Sequence, residues 1–283
     1  MISLTDVSYA YPDAEALTLE HVDLEVERGS IAGIVGASGA GKTTLAKIIA
    51  GFIPHADGGE LSGTVRVDGR DLSTGSLVDA VSVVGLVIQN PFNQISGAKY
   101  TVREEIAFGL ENFGTPRDEM QRRVDEVAAL LRIEHLLDRS PYALSGGQQQ
   151  LVAIASMIVL RTPVIVMDEP TAQLDPAGTR MVFDVLSALR ETGITIVIFE
   201  HKLELLQQHA DRLHVVADRS IVLSGAPDDV LADDRLAQWA VGTTRYVTAG
   251  RLARERGLLP PEVPLPVSFE QAERVFDRER SVR

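Results

Sequence analysis

The chain has 283 residues, 45% hydrophobic and 24% charged, with a formal charge of −13 and no cysteine. That length and balance allow a substantial buried core and exclude global disorder, and the absence of cysteine excludes disulfides and thiolate metal sites. An acidic chain with no Lys/Arg block is a poor surface for nucleic acid or anionic lipid, so the expected partners are proteins and small anions.

The opening run MISLTDVSYAYPD lacks the basic and apolar regions of a secretory signal, a start compatible with the cytoplasm. HVDLEVE at 21–27 alternates apolar and acidic residues, the period of a half-buried strand. The runs SIAGIV (30–35), TPVIVMD (162–168) and ITIVIFE (194–200) are almost continuously apolar, as parallel strands covered on both faces are. Helical patterns lie at 42–50, at 177–191 with Gly193 as a stop, and at 202–210. Strands and helices in this alternation predict a layered α/β domain.

In LVIQNPFNQIS (86–96) an apolar run ends in Gln89, and Asn90-Pro91 turns the chain. The turn accounts for Asn90 and Pro91 but not for Gln89 or Gln94. From about 93 to 160 the strand signal disappears, and TVREEIAFGLENFG and RDEMQRRVDEVAALLR read as helices of an inserted subdomain. Thr101 with Glu104, and Ser145 with Gln148, have the spacing of a capping box and mark helix starts. The longest apolar stretch, LVAIASMIVL (151–160), falls well short of the roughly 20 residues a membrane span needs. Beyond 225 the pattern weakens: LLPPEVPLP (258–266) is a proline-rich connector, and Ser268 with Gln271 is spaced to cap a last short helix.

The sharpest motif is GASGAGKTT: Gly36, Ala37, Ser38, Gly39, Ala40, Gly41, Lys42, Thr43 and Thr44. It fits G-x-x-x-x-G-K-[ST] between a buried strand and a helix, where small residues let backbone N–H groups close around a phosphate chain. Lys42 would add a point charge for the β and γ phosphates, and Thr43 a hydroxyl for Mg²⁺. VIVMDE (164–169) places two acids where a buried strand ends, the edge at which ligands bind in open α/β sheets. Asp168 is the expected Mg²⁺ ligand, and Glu169 the expected base that positions or polarises water. LSGGQQQ (144–150) supplies Ser145, Gly146, Gly147 and Gln148 as a capped helix start, which is also a second place for an anion.

In this order the motifs resemble those of the ATP-binding cassette (ABC) ATPases: P-loop 36–44, Gln89, LSGGQ 144–148, Walker B 164–169, "LD" at 174 and 175, and His201. The resemblance covers residues 1–225. It implies a P-loop NTPase core with an N-terminal antiparallel β portion and an inserted helical subdomain at about 93–160. Residues 226–283 would form an extension with a dimerisation or regulatory role. It also implies ATP and Mg²⁺, and a head-to-tail dimer, homomeric or heteromeric, in which Ser145 and Gly147 face the ATP of the neighbouring subunit. Asp175 would link the two sites and His201 would sense the γ-phosphate. Gln89 would reach Mg²⁺ and the attacking water only in the closed, ATP-bound state, and Tyr11 would stack on adenine, with simple packing the alternative reading for it and for its near neighbour Tyr9.

QNPFNQ, VREEIAFGLEN, FEHKLELL and the tail LPPEVPLPVSFEQA narrow the resemblance to the A components of energy-coupling-factor importers of vitamins and metal ions. Such a subunit sits on the cytoplasmic face of the membrane, bound to a transmembrane coupling subunit and through it to a substrate-binding membrane subunit. Phe92 stands where members of that group carry an acid, and Glu104 and Glu105 are the acids that could replace it. Other ABC transporters, and soluble ABC ATPases outside transport, stay open as alternatives.

Overall fold

The alternating and the continuously apolar strands go to different sheets. In the computed structural model, which describes residues 1–281, an N-terminal hairpin pairs β1 (Ile2–Ala10) with β2 (Leu19–Val26). β3 (Ile31–Gly36) leaves for a second sheet and leads into α1 (Lys42–Ile49). β4 (Glu60–Val67) and the two-residue β5 (Arg70–Asp71) then return to the first sheet. After α2 (Leu77–Val81) and β6 (Val84–Val87) come three helices, α3 (Val102–Asn112), α4 (Arg117–Leu130) and α5 (Gly146–Ile158). β7 (Val164–Asp168), α6 (Pro176–Glu191), β8 (Thr195–Phe199), α7 (Leu203–His209), β9 (Arg212–Ala217) and β10 (Ser220–Gly225) complete the second sheet and its helices. The first sheet is antiparallel, in the order β2-β1-β4-β5; the second runs β10-β9-β3-β8-β7-β6, parallel except for β10. The fold is therefore mixed α/β, with the N-terminal antiparallel portion expected from the sequence.

The burial of the parallel strands explains their composition. Along β8, Ile196 and Ile198 face one apolar cluster with the helices α3 to α6, while Val197 and Phe199 face another with α1 and the antiparallel sheet. Along β7, Ile165 and Met167 face the first cluster and Val164 and Val166 the second. A strand covered on both faces favours apolar residues along its length, and each fully buried side chain of this size contributes about 1.5–3 kcal/mol relative to exposure. In β2, by contrast, Leu24 and Val26 are buried and Asp23 and Glu25 exposed, which is the alternation that the sequence shows.

Both capping boxes form. Thr101 accepts from the Glu104 N–H and Glu104 from the Thr101 N–H, so α3 begins there; Ser145 and Gln148 do the same for α5. Register then assembles the site. Ile34 pairs with Phe199, Asp168 with Phe199 and Val87 with Met167. The C-terminal ends of β3, β8, β7 and β6 therefore lie side by side, and the segments that follow them meet: the glycine-rich loop, Glu200 and His201, Glu169, and Gln89.

After residue 225 the chain forms α8 (Pro227–Ala232), α9 (Arg245–Glu255) and α10 (Phe269–Ser281). The last helix is longer than the short one expected, and its box is only half made. Ser268 accepts from the Gln271 N–H, but the Gln271 side chain accepts from Val267 and donates to Asp228. Asp228 also accepts from Gln207 of α7 at 2.9 Å, and Arg245 holds Glu204 of α7 through two hydrogen bonds of 2.8 and 2.9 Å. The extension is thus fastened to the helix that follows His201.

One buried histidine makes stability depend on pH. His214 of β9 is 3% exposed, and burial pushes its ring down to about 4. The unfolded ring takes a proton near pH 6.5 that the folded one refuses until about pH 4, so this contribution is intact at neutral pH and is lost as pH falls through that window. Urea unfolding of the wild type and His214→Gln at pH 7 and pH 5 should show the stability difference between them shifting by about 2 kcal/mol in the variant's favour at pH 5. A difference that does not move with pH would rule this out.

Candidate functional site

The loop between β3 and α1 is built to receive an anion. Gly41, the N-cap of α1, has a φ of 97° and offers no side chain to the first-turn N–H groups, which stay available to a ligand. Lys42 is buried, and its Nζ donates to the carbonyls of Gly36 (2.9 Å) and Ala37 (3.0 Å) of the same loop. Burial lowers the pKa of this ammonium, while the nearby Glu169 and Asp168 act to raise it. A phosphate chain would replace neutral carbonyls by charged acceptors, which form stronger bonds to an ammonium. Tyr9 is fully buried with its hydroxyl on Gly58, whereas Tyr11 is half-exposed with its hydroxyl 3.0 Å from Thr44 in the first turn of α1. Of the two rings, Tyr11 is the one placed beside the nucleotide loop.

Asp168 ends β7 and is 4% exposed. Burial raises its pKa above the usual carboxylate range, a shift that the Thr43 hydroxyl partly opposes. Its Oδ1 is buried without a hydrogen-bond partner. An orphaned carboxylate oxygen beside a threonine hydroxyl is a donor set that suits a hard cation such as Mg²⁺, which completes its shell with water and substrate phosphates. Glu169, the next residue, points its two oxygens at two sequence-predicted residues. Gln89 Nε2 donates to Oε2 at 2.7 Å, and His201 Nε2 lies 2.9 Å from Oε1. An ionised carboxylate only accepts, so the His201 hydrogen sits on Nε2. Gln89 is expected to reach Mg²⁺ and the attacking water on closure; within the single chain its amide donates to Glu169.

Gln94 serves the strand instead. Its amide accepts from Ile88 N–H at 3.1 Å and donates to the Leu86 carbonyl at 3.2 Å, extending the hydrogen bonding at the end of β6. Asn90 accepts from Phe92 N–H, as a turn residue would. Glu104 is committed to its cap, and Glu105 is buried with both oxygens on Ser96, so neither stands free to replace an acid at position 92. Phe92 itself is 59% exposed and meets the 52% exposed Tyr142 edge-on, ring centroids 6.2 Å apart.

Among the described residues no hydrogen bond joins the LSGGQ segment to the chain's own phosphate loop. Ser145 is exposed at the start of α5. A Cβ on Gly147 would lie 3.2 Å from the Gln173 carbonyl, so the small residue lets the helix start pack on the 173–174 loop. That loop runs into Asp175, which caps α6 by accepting from Gly178 N–H at 2.7 Å. Three residues around the centre had no role assigned from the sequence: Thr171 and Glu200, both buried, and Lys202, although Glu200 and Lys202 lie within FEHKLELL. Only their place next to Glu169 and His201 could have drawn attention to them.

A profile of the ABC transporter family matches residues 19–172, more than half of the chain. A putative ABC transporter ATP-binding protein of Pyrococcus horikoshii is 41% identical over 261 residues, covering 92% of this chain and 91% of that protein. Among solved structures, cbiO1 from Clostridium perfringens, part of the ABC transporter complex cbiONQ, gives a TM-score of 0.72 at 29% identity, over 90% of this chain and 96% of that one. The ATP-binding cassette MJ0796, a dimer in a post-hydrolysis state bound to ADP and Pi, gives 0.71 at 27% identity, over 80% of this chain and 99% of that one.

Proposed function

Because the chain belongs to the ABC transporter family as an ATP-hydrolysing subunit, we propose that it energises an importer of the energy-coupling-factor type through a separate transmembrane partner. The observation that carries this reading is the likeness to cbiO1. It covers 90% of the chain, and residues 1–225 are 225/283, or about 80%, of it, so the likeness extends into residues beyond 225. Among the described residues no helix is long and apolar enough to cross a membrane, and in this reading the span belongs to a separate chain.

In this reading ATP lies between the phosphate loop of one subunit and the LSGGQ segment of a second. Lys42 holds the β and γ phosphates, Tyr11 stacks on the adenine, and Ser145 and Gly147 of the neighbour close over the γ-phosphate. Thr43, Asp168 and Gln89 are the residues that would hold Mg²⁺, which neutralises charge developing on the transferred phosphoryl group. Glu169 orients the attacking water and accepts its proton, and His201 fixes the orientation of that carboxylate. Asp175, at the end of the loop under LSGGQ, ties the geometry of one site to the subunit contact that forms the other. The subunit works at the cytoplasmic face of the membrane, and residues 226–283 strengthen or regulate the association.

The Phe92–Tyr142 edge follows Gln89 and is the surface for the transmembrane partner. Affinity purification from detergent-solubilised native membranes tests this: a small apolar substrate-binding membrane protein and a second transmembrane scaffold should co-purify. Two identical permeases with a soluble binding protein would overturn the importer type. Phe92→Ala, at an exposed position, removes the ring without introducing the acid that the group carries there, and should lower recovery of the transmembrane partner by about tenfold through loss of an aromatic anchor. Undiminished recovery would remove Phe92 from the contact.

A further inference from the structure

We propose that Glu200 and Lys202 are positioning residues for ATP hydrolysis, which grip Thr171 from either side of His201 and so hold the Glu169 carboxylate in place. The proposal rests on the reading of Glu169 as the base and adds to it the device that aims it.

Three consecutive residues reach back to a three-residue segment. His201 meets Glu169 at 2.9 Å. Glu200 accepts the Thr171 hydroxyl on Oε1, while its Oε2 accepts the backbone N–H groups of His201 at 2.8 Å and Lys202 at 3.3 Å. Lys202 Nζ donates to the Thr171 carbonyl and to Thr179 Oγ1 of α6, both at 2.9 Å. Thr171 is therefore held at its hydroxyl by one neighbour of the histidine and at its carbonyl by the other.

Glu200 is 3% exposed and Thr171 is fully buried. Burying a carboxylate is costly unless its oxygens are hydrogen-bonded, and Glu200 meets that demand with three donors, all from the two segments it joins. The backbone between them needs such restraint. Glu169 has a φ of 48°, a left-handed conformation unfavourable for a residue with a Cβ. Strained residues of this kind persist where the surroundings over-determine them. Here the Glu169 N–H is tied to the Phe199 carbonyl at 2.9 Å, and two residues on the chain is clamped again at Thr171. Releasing the second tie lets the segment relax and moves the carboxylate away from His201 and from the water it must orient.

The test uses the full-length chain. Thr171→Val removes the hydroxyl with little change of shape and leaves the carbonyl for Lys202; Thr171→Ser keeps the hydroxyl. Thr171→Val should lower kcat by about tenfold with KM for ATP within about twofold, as expected when orientation and not substrate binding is lost. Thr171→Ser should restore kcat to near wild type. In a Glu169→Gln background Thr171→Val should cost less than about twofold more, because its effect passes through the missing carboxylate. Lys202→Met, at a half-buried position, should give the same kcat-specific fall and serves if Thr171→Val does not fold. The proposal is overturned by unchanged kcat in Thr171→Val and Lys202→Met, by equal losses for Val and Ser, by KM rising in step, or by an additive loss in the Glu169→Gln background. Wild-type turnover in Glu169→Gln itself would instead overturn the base assignment, so the two failures are distinguishable.

Discussion

Glu169→Gln should leave ATP bound and lower its hydrolysis by roughly two or more orders of magnitude, about 2.7 kcal/mol or more of transition-state stabilisation. The substitution keeps volume and removes the charge that a general base requires. Its surroundings make the loss more than electrostatic: the wild-type carboxylate accepts from Gln89 Nε2 and faces His201 Nε2. An amide has one oxygen for these two partners and turns its N–H₂ toward the other, so one contact is lost or His201 must change tautomer. Lys42 and the first turn of α1, which would hold the phosphates, are untouched, so the affinity for ATP survives. Binding of a fluorescent ATP analogue, measured beside phosphate release, separates the two effects. Turnover equal to wild type would remove Glu169 from the role of base.

What could be read in the sequence follows the physics of each segment. The runs at 30–35, 162–168 and 194–200 were legible because strands covered on both faces favour apolar residues, and Ile196 to Phe199 indeed alternate between two cores. Lys42, Asp168 and Glu169 stood out as candidates because a glycine-rich strand-to-helix turn and two acids at a strand end fall on one edge of the sheet, and the structure brings the three close together. Ser145 with Gln148 and Thr101 with Glu104 were legible as helix starts from local chemistry alone. The grip on Thr171 was not, since it depends on the pairing of Asp168 with Phe199 across β7 and β8, which no single segment encodes. Gln94, which the turn leaves unexplained, proves to serve the strand end. The last helix was underestimated because a charged, amphipathic run such as FEQAERVFDRERS has little hydrophobicity with which to announce itself.

The second large effect concerns what one chain cannot do alone. Lys42→Ala and Ser145→Ala should each abolish most turnover, and mixing the two variants should restore part of it if the chain forms homodimers. The placement of LSGGQ motivates this prediction. Ser145 is exposed and Gly147 packs on the 173–174 loop, with no hydrogen bond to the chain's own phosphate loop among the described residues, which leaves Ser145 open to the phosphate of a second subunit in the proposed reading. In a mixed dimer one site combines both substitutions and the other combines an intact phosphate loop with an intact LSGGQ. With half of the dimers mixed and one site of two competent, activity should recover to about a quarter of wild type. If the ATP site were completed within one chain, every chain in the mixture would carry a defect and nothing would be regained. Absent recovery from chains that do self-associate would therefore place LSGGQ in its own subunit's site. Absent recovery from chains that stay monomeric would instead point to a partner of different sequence, and adding that partner to each variant in turn would then show which of the two composite sites drives hydrolysis.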